Sequence, residues 1–223
     1  MDAMAKAPGE PPHDVTFDFR ELSARDKYKL MIGTVVPRPI ALVTTVDPKG
    51  RVNAAPFSFF NCLSADPPIL ALGVENHPDM RFKDTGLNIR LTEVFTVNIV
   101  SHAIAEAMHV CGVSFPPDRD ELQAAGLTAM PGKMVASPWI KEAPAAFECR
   151  RHLTLELGKS RQIILGEILF AHYHSDVVDP DRLHIDPAKL DAIARLGGNT
   201  CSTIRDRFDM LTPTPDDFRP VDA

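Results

Sequence analysis

Ile40-Ala41-Leu42-Val43-Thr44-Thr45-Val46 runs directly into Asp47-Pro48-Lys49-Gly50 and then into Arg51-Val52-Asn53-Ala54-Ala55-Pro56-Phe57. The first run is apolar or β-branched on both alternating sets, the pattern of a strand covered on both faces. The tetrapeptide has the composition of a type I turn, with proline presetting φ at its second position and glycine closing the fourth. Residues 51–57 then form the return strand of a hairpin.

Working outward, residues 69–74 after Asp66-Pro67-Pro68 read as a strand, and so do residues 95–100, where Phe95, Val97 and Ile99 alternate with Thr96 and Asn98. A long hairpin is expected from residues 146–157 and 161–174 around Gly158-Lys159-Ser160. Helices are fewer. Ser101 offers an N-cap for a short helix ending near Gly112, and another is expected near residues 118–125. Near the end, Asp186 as N-cap, Pro187 at the first helical position, Leu190 and Ile193 in register and Gly197 past the last turn spell a further helix. Residues 76–90 form a polar connection with basic residues, and 114–144 a proline-rich excursion. Many strands without a strand-helix rhythm predict a mainly β fold, an antiparallel barrel with appended helices. Residues 14–212 are expected to form one domain between tails at 1–13 and 213–223.

The chain has 223 residues and a formal charge of −6, with both signs scattered along it. No basic stripe suited to nucleic-acid phosphates is visible, so nucleic acid is not an expected partner. No apolar run approaches the ~20 residues of a membrane-spanning helix, and no basic segment followed by an apolar one suggests secretion. Cys62, Cys111, Cys149 and Cys201 lie far apart, as reduced thiols in a cytoplasm would. His172 and His174 share one strand face, but no third ligand completes a metal frame, and they read as structural or surface residues. Asp118 to Glu121 reads as a solvated helix start.

Nucleophile elbows, phosphate loops, dinucleotide fingerprints and zinc-protease motifs are missing. Redox chemistry carried by a bound cofactor needs none of them. The order of Pro37 to Thr45, Asn53 to Asn61, Ser64-Ala65-Asp66-Pro67-Pro68, Lys83-Asp84-Thr85, Phe95 to Asn98, Gly166-Glu167 and Arg195-Leu196-Gly197-Gly198 resembles the flavin reductase-like, FMN-binding split-barrel family, over roughly residues 28 to 211. The resemblance implies a split barrel that binds FMN and an oxidoreductase that moves hydride from NADH or NADPH to flavin. It also implies a homodimer and a possible partner monooxygenase. The alternative is an FMN electron carrier reduced by a protein donor. The cofactor contacts implied are Thr44, Thr45, Asn53, Ala55, Pro56, Phe57, Ser58, Phe59 and Asn61 for the ring and ribityl end. His77, Arg81, Lys83 and Thr85 are implied around the phosphate. In one respect the chain departs from the family: Asn199-Thr200-Cys201-Ser202 follows the R-L-G-G segment, where an aromatic residue is frequent.

Overall fold

The computed structural model describes residues 14–116, 119–158 and 160–214. The expected tail at 1–13, most of that at 213–223, Asp118 of the charge cluster and Lys159 of the hairpin turn lie outside the described residues. The chain begins with α1 (Ala24–Thr34), β1 (Arg38–Pro39), β2 (Ala41–Val46), β3 (Val52–Phe57), β4 (Phe60–Ala65) and β5 (Pro68–Glu75). It continues through α2 (Asp84–Thr92), β6 (Val94–Ile99), a 3-10 turn (His102–Ile104), α3 (Ala105–Val110), α4 (Glu121–Ala125), β7 (Ala129–Met130) and β8 (Trp139–Ile140). The long strands β9 (Ala145–Leu157) and β10 (Arg161–Tyr173) precede β11 (Val178–Asp179), β12 (His184–Ile185), α5 (Pro187–Leu190), β13 (Ile193–Arg195) and β14 (Cys201–Thr203).

The architecture is mainly β. Seven strands form one antiparallel sheet in the order β3-β2-β6-β9-β10-β5-β4. Its two edge strands, β3 and β4, are consecutive in the chain and joined by Ser58 and Phe59. The sheet therefore curls until its ends meet at this corner, where the Gly73 N–H donates to the Phe59 carbonyl at 2.7 Å. The result is a barrel split along the β3/β4 seam.

The opening hairpin follows its sequence logic. Gly50 takes φ +80° and its N–H donates to the Asp47 carbonyl at 2.9 Å, while the Asp47 carboxylate accepts from the Lys49 and Arg51 N–H groups. Strand β2 is buried at every position. Ala41 and Val43 face the barrel interior with Leu72, Phe95 and Ile164, whereas Leu42 faces an outer cluster with Ile104, Leu122 and Ile140. Pro56 occupies an edge strand, where its missing N–H need not break the ladder. In the long hairpin, the bulge at Leu165/Gly166 lets the strands bend. A β-carbon at Gly166 would come within 2.2 Å of the Phe95 ring, so glycine is required for that close approach.

Several features differ from the sequence reading, among them helix α2, which starts inside the stretch read as a polar connection. Helix α1 is unforeseen because it buries only Ile32 and has no strong apolar stripe, although Ser23 caps it by accepting from the Asp26 N–H. Strand β4 is unforeseen because it is an exposed edge with no clean alternation. The late helix is capped by Asp186 as expected but lasts only Pro187–Leu190, ending where Asp191 adopts φ 41°. Ile193 is not helical: it is buried in the outer cluster and belongs to β13, which pairs with β1 and β14. Strand pairing thus overrides the helical spacing. Ser101 precedes its helix correctly, yet its hydroxyl makes no cap, and the first turn is 3-10.

The proline-rich excursion is fastened by one carboxylate. Glu148 on β9 is fully buried, accepts from the N–H groups of Lys133, Met134 and Val135 at 2.6, 2.6 and 2.9 Å, and meets His172 Nε2 at 2.6 Å. Trp139 stacks on the His172 ring, with centroids 4.5 Å apart. His174 turns instead to the Lys141 carbonyl, 2.8 Å from Nε2. Burial pushes the Glu148 carboxyl up, but the Lys133 N–H, His172 and the Met134 and Val135 N–H groups together hold it below its ordinary value. Its ionised form therefore adds stability above the usual carboxylate range, and that stability is lost as pH falls through the depressed value. Glu148→Gln should cost about 2–4 kcal/mol near neutral pH and flatten the loss of stability in acid, as read from urea denaturation at about pH 7 and about pH 4. An unchanged urea midpoint at neutral pH would contradict this.

Candidate functional site

Helix α2 lies against the β2–β3 hairpin through buried polar contacts. Thr45 is fully buried, and its Oγ1 accepts from Asn88 Nδ2 at 3.1 Å and from Asn53 Nδ2 at 3.4 Å. Asn53 Nδ2 also donates to Thr85 Oγ1 at 3.0 Å, which leaves the Thr85 hydroxyl free to donate its own proton. On the far side the helix start is pressed against β10: a β-carbon at Gly86 would lie 2.5 Å from Gln162 Nε2. These contacts set where the first turn of α2 points.

That first turn has an unusual cap. Lys83 occupies the N-cap position, with no side-chain cap hydrogen bond. Lysine has no acceptor for the orphan N–H groups, and its charge sits at the positive end of the helix dipole. An anion placed there relieves both costs.

Between this turn and the open edge of β3 lies a cleft of about 430 Å³, within the range of small-ligand sites. Asn53, Ala55, Pro56 and Phe57 of β3, together with His77, Lys83 and Thr85, line it. Seven of the sequence-predicted residues are thus brought together, with Thr45 beneath them as a support. The opposite wall comes from Cys111 to Phe115 after α3 and from Glu121 on α4.

The remaining predicted residues lie elsewhere in the single chain. Thr44 is fully buried facing the outer layer, and its hydroxyl donates to the Pro138 carbonyl. Arg81 is exposed and paired with Asp79 at 2.6 Å, a surface pair of little energetic value. Ser58, Phe59 and Asn61 line a second hollow of about 530 Å³ on the outer face, with Met31, Leu157 and Arg161. There the Arg161 guanidinium stands over the Phe59 ring, 4.6 Å from its centroid. Cys201 pairs with Arg195 across β13–β14 and lines a third hollow with His102 and His109.

The cleft holds two titratable groups that sequence reading did not single out as site residues. Burial pushes the Cys111 thiol up to about 12, helped by the Glu121 and Asp120 carboxylates, so it is a neutral thiol and not a nucleophile at neutral pH. Glu121 is partly buried, and its Oε2 accepts from the Ala54 N–H on the open edge of β3 at 3.3 Å. Burial raises its carboxyl first of all; bonds from its own and the Ala54 N–H oppose this, and the charges of Asp120 and Asp84 add to it. Neither residue sits in a motif; the docking of α3 and α4 on β3 brings them to the cleft.

Chemically, the cleft offers a cation, a hydroxyl and the helix start for an anion, and Pro56, Phe57, Val113 and Phe115 as apolar lining for a flat ring. With its thiol held neutral, the cleft suits a ligand that brings its own reactive atoms.

Residues 32–190 match the flavin reductase like domain family. An uncharacterised protein of Deinococcus radiodurans is 41% identical over 200 residues, covering 87% of this chain and 88% of its own length. Among solved structures, the 2-nitrobenzoate 2-nitroreductase of Pseudomonas fluorescens has a TM-score of 0.82 at 34% identity, over 92% of this chain and 98% of that one. Nitrilotriacetate monooxygenase component B of Bacillus cereus has a TM-score of 0.85 at 27% identity, over 90% and 100% respectively. A family match over most of the chain and a split barrel shared with these neighbours lead to one conclusion: the chain belongs to the flavin reductase-like domain family.

Proposed function

We propose that the chain is an oxidoreductase that binds FMN in the cleft between β3 and α2 and uses it to accept hydride from NADH or NADPH. The observation that carries this reading is Lys83, a cation at a helix N-cap with no cap bond, facing the same cleft as the apolar Pro56–Phe57 wall. Bound FMN would supply the hydride-accepting atom. The protein's own residues bind and orient it. Lys83 neutralises phosphate charge, and the Thr85 hydroxyl, its oxygen already engaged by Asn53, donates a hydrogen bond. Val113 and Phe115 keep water from the ring side. Component B of a monooxygenase among the structural neighbours supports reduced flavin being handed to a partner monooxygenase or another acceptor. Four free cysteines fit a reducing, cytoplasmic setting.

FMN should bind the purified chain, and Lys83→Ala should weaken that binding by about 1.5–3 kcal/mol, roughly tenfold to a hundredfold. Mixing the FMN complex anaerobically with NADH or NADPH should bleach flavin absorbance. Binding without bleaching by either donor would favour a carrier reduced by a protein; no FMN binding would end the reading.

We further infer that the protein works as a homodimer through the outer face of β9 and β10. Leu153 and Leu155 stand opposite Leu165 and Ile163 on this face, and Leu153, Leu155 and Leu157 are each 45–49% exposed. On β10, Ile164 turns into the barrel between Ile163 and Leu165, so this strand is apolar on both faces here, while on β9 Thr154 and Glu156 alternate with the leucines. A solvated outer face would carry polar residues where these leucines stand. Ser58, Phe59 and Asn61 line the hollow beside Leu157, so a partner covering this face would come close to them. Leu155→Asp should convert a dimer to monomers on size exclusion with light scattering. A wild-type monomer at micromolar concentration would contradict the assignment.

A further inference from the structure

The cleft contains a group that an anion site should not tolerate. Glu121 lines the same cavity as Lys83 and Thr85, and its carboxylate holds the Ala54 N–H at 3.3 Å. It is held in place, because α4 is capped by Asp120, whose carboxylate accepts from the Leu122 and Gln123 N–H groups, and is anchored by Leu122, 2% exposed in the outer core. A phosphate entering at Lys83 therefore meets a carboxylate whose backbone is pinned.

The surrounding charges do not cancel it. Asp120 lies on its own helix, and Asp84 comes from α2 beside Lys83. Behind the cleft, a hollow of about 60 Å³ brings Asp47 and Arg51 of the hairpin turn and Arg119 alongside Glu121. Arg51 pairs with Asp47 at 2.7 Å, and the Arg119 guanidinium lies 5.2 Å from the Phe115 ring centroid. His77 faces the cleft from the β5–α2 connection, and the Cys111 thiol, held neutral, faces it from the end of α3. The carboxylates Asp47, Asp84, Asp120 and Glu121 outnumber the cations Lys83, Arg51 and Arg119 by one.

We propose that Glu121 makes phosphate binding in this cleft proton-linked: its carboxylate holds a proton more tightly once the phosphate of a flavin nucleotide has entered. The inference rests on the FMN reading and adds to it a residue that regulates the same site. Protonation removes the like charge, and the carbonyl oxygen of the neutral acid can still accept from Ala54, so that contact survives. The carboxyl is already weakened as an acid by burial and by Asp120 and Asp84, and a phosphate dianion works in the same direction. The sign follows: affinity for the phosphorylated flavin falls as pH rises, because less of the carboxyl is in the neutral form that favours the phosphate.

Calorimetry of the full chain with FMN and with riboflavin, from about pH 5 to about pH 8 and in buffers of unlike ionisation enthalpy, measures both affinity and protons exchanged. At about pH 7.5 the FMN phosphate is already largely the dianion, so uptake there comes from the protein. Wild type should take up a fraction of a proton with FMN and none with riboflavin, and Glu121→Gln should lose that uptake. Glu121→Gln keeps an acceptor for Ala54 but cannot ionise. It should bind FMN about threefold to tenfold more tightly at about pH 8, with the gap closing toward about pH 5 and absent for riboflavin. Wild type binding FMN with no proton uptake, or an equal gap for both flavins, would overturn the proton link while leaving the cofactor reading intact. Failure of both flavins to bind would remove both.

Discussion

The Thr45 hydroxyl, shared between the amides of Asn53 and Asn88, is the contact on which the site depends. It is fully buried and Asn88 is buried with it, so the Asn88 amide cannot fall back on water, and leaving it unpaired would cost about 1–3 kcal/mol. The contact joins three elements: β2 carries the hydroxyl, β3 contributes Asn53 and α2 contributes Asn88. Through Asn53 it reaches Thr85 in the first turn of the helix. The orientation of a helix N-terminus is thereby tied to the strand edge it faces. A cleft bounded by a flexible connection would leave Lys83 free to wander, whereas this one sets its backbone on a fixed turn.

A second polar staple does comparable work on the opposite face of β2. Asn98 Nδ2 donates to the Leu42 carbonyl and to Thr44 Oγ1, while its Oδ1 accepts from the Ile140 N–H. The excursion that carries β8 is thus bonded to the barrel at Asn98 and at Glu148, which lies on the neighbouring strand. Two adjacent threonines, Thr44 and Thr45, therefore serve opposite layers of the molecule. The alternation of a strand makes this unavoidable, since neighbouring residues project to opposite faces.

What could be read from sequence follows from how local each signal is. The β2–β3 hairpin was legible because strand pattern, turn chemistry and return strand all lie within residues 40–57 and agree. The long β9–β10 hairpin was legible for the same reason, whereas Lys83 and Thr85, which line one cleft, were named through the family resemblance and not from a local pattern. Illegible features depend on remote partners. Ile193 fits a helical register, but burial beside Ile104 and pairing of β13 with β1 decide its conformation. Glu121 reads as one charge in a solvated helix start, and only the packing of Leu122 against the outer core turns it toward Ala54. Thr44 and Thr45 look alike in sequence, and the face each takes depends on which layer covers β2.

The Ser58–Phe59 corner links the two halves of the functional argument. A sheet whose edge strands are consecutive in sequence must cross from one edge to the other in a short connection, and here two residues suffice. The inner side of β3 up to Phe57 therefore belongs to the cleft with Lys83, and the chain from Ser58 onward belongs to the outer hollow with Arg161. One short segment borders both surfaces. If a second copy covers the apolar outer face of β9 and β10, it presses on the same corner that ends the wall of the cleft, through Phe59 and its contact with Arg161. Association and ligand binding would then meet at adjoining residues of one short segment, and whatever factor the second copy imposes on ligand affinity, the ligand would impose on association.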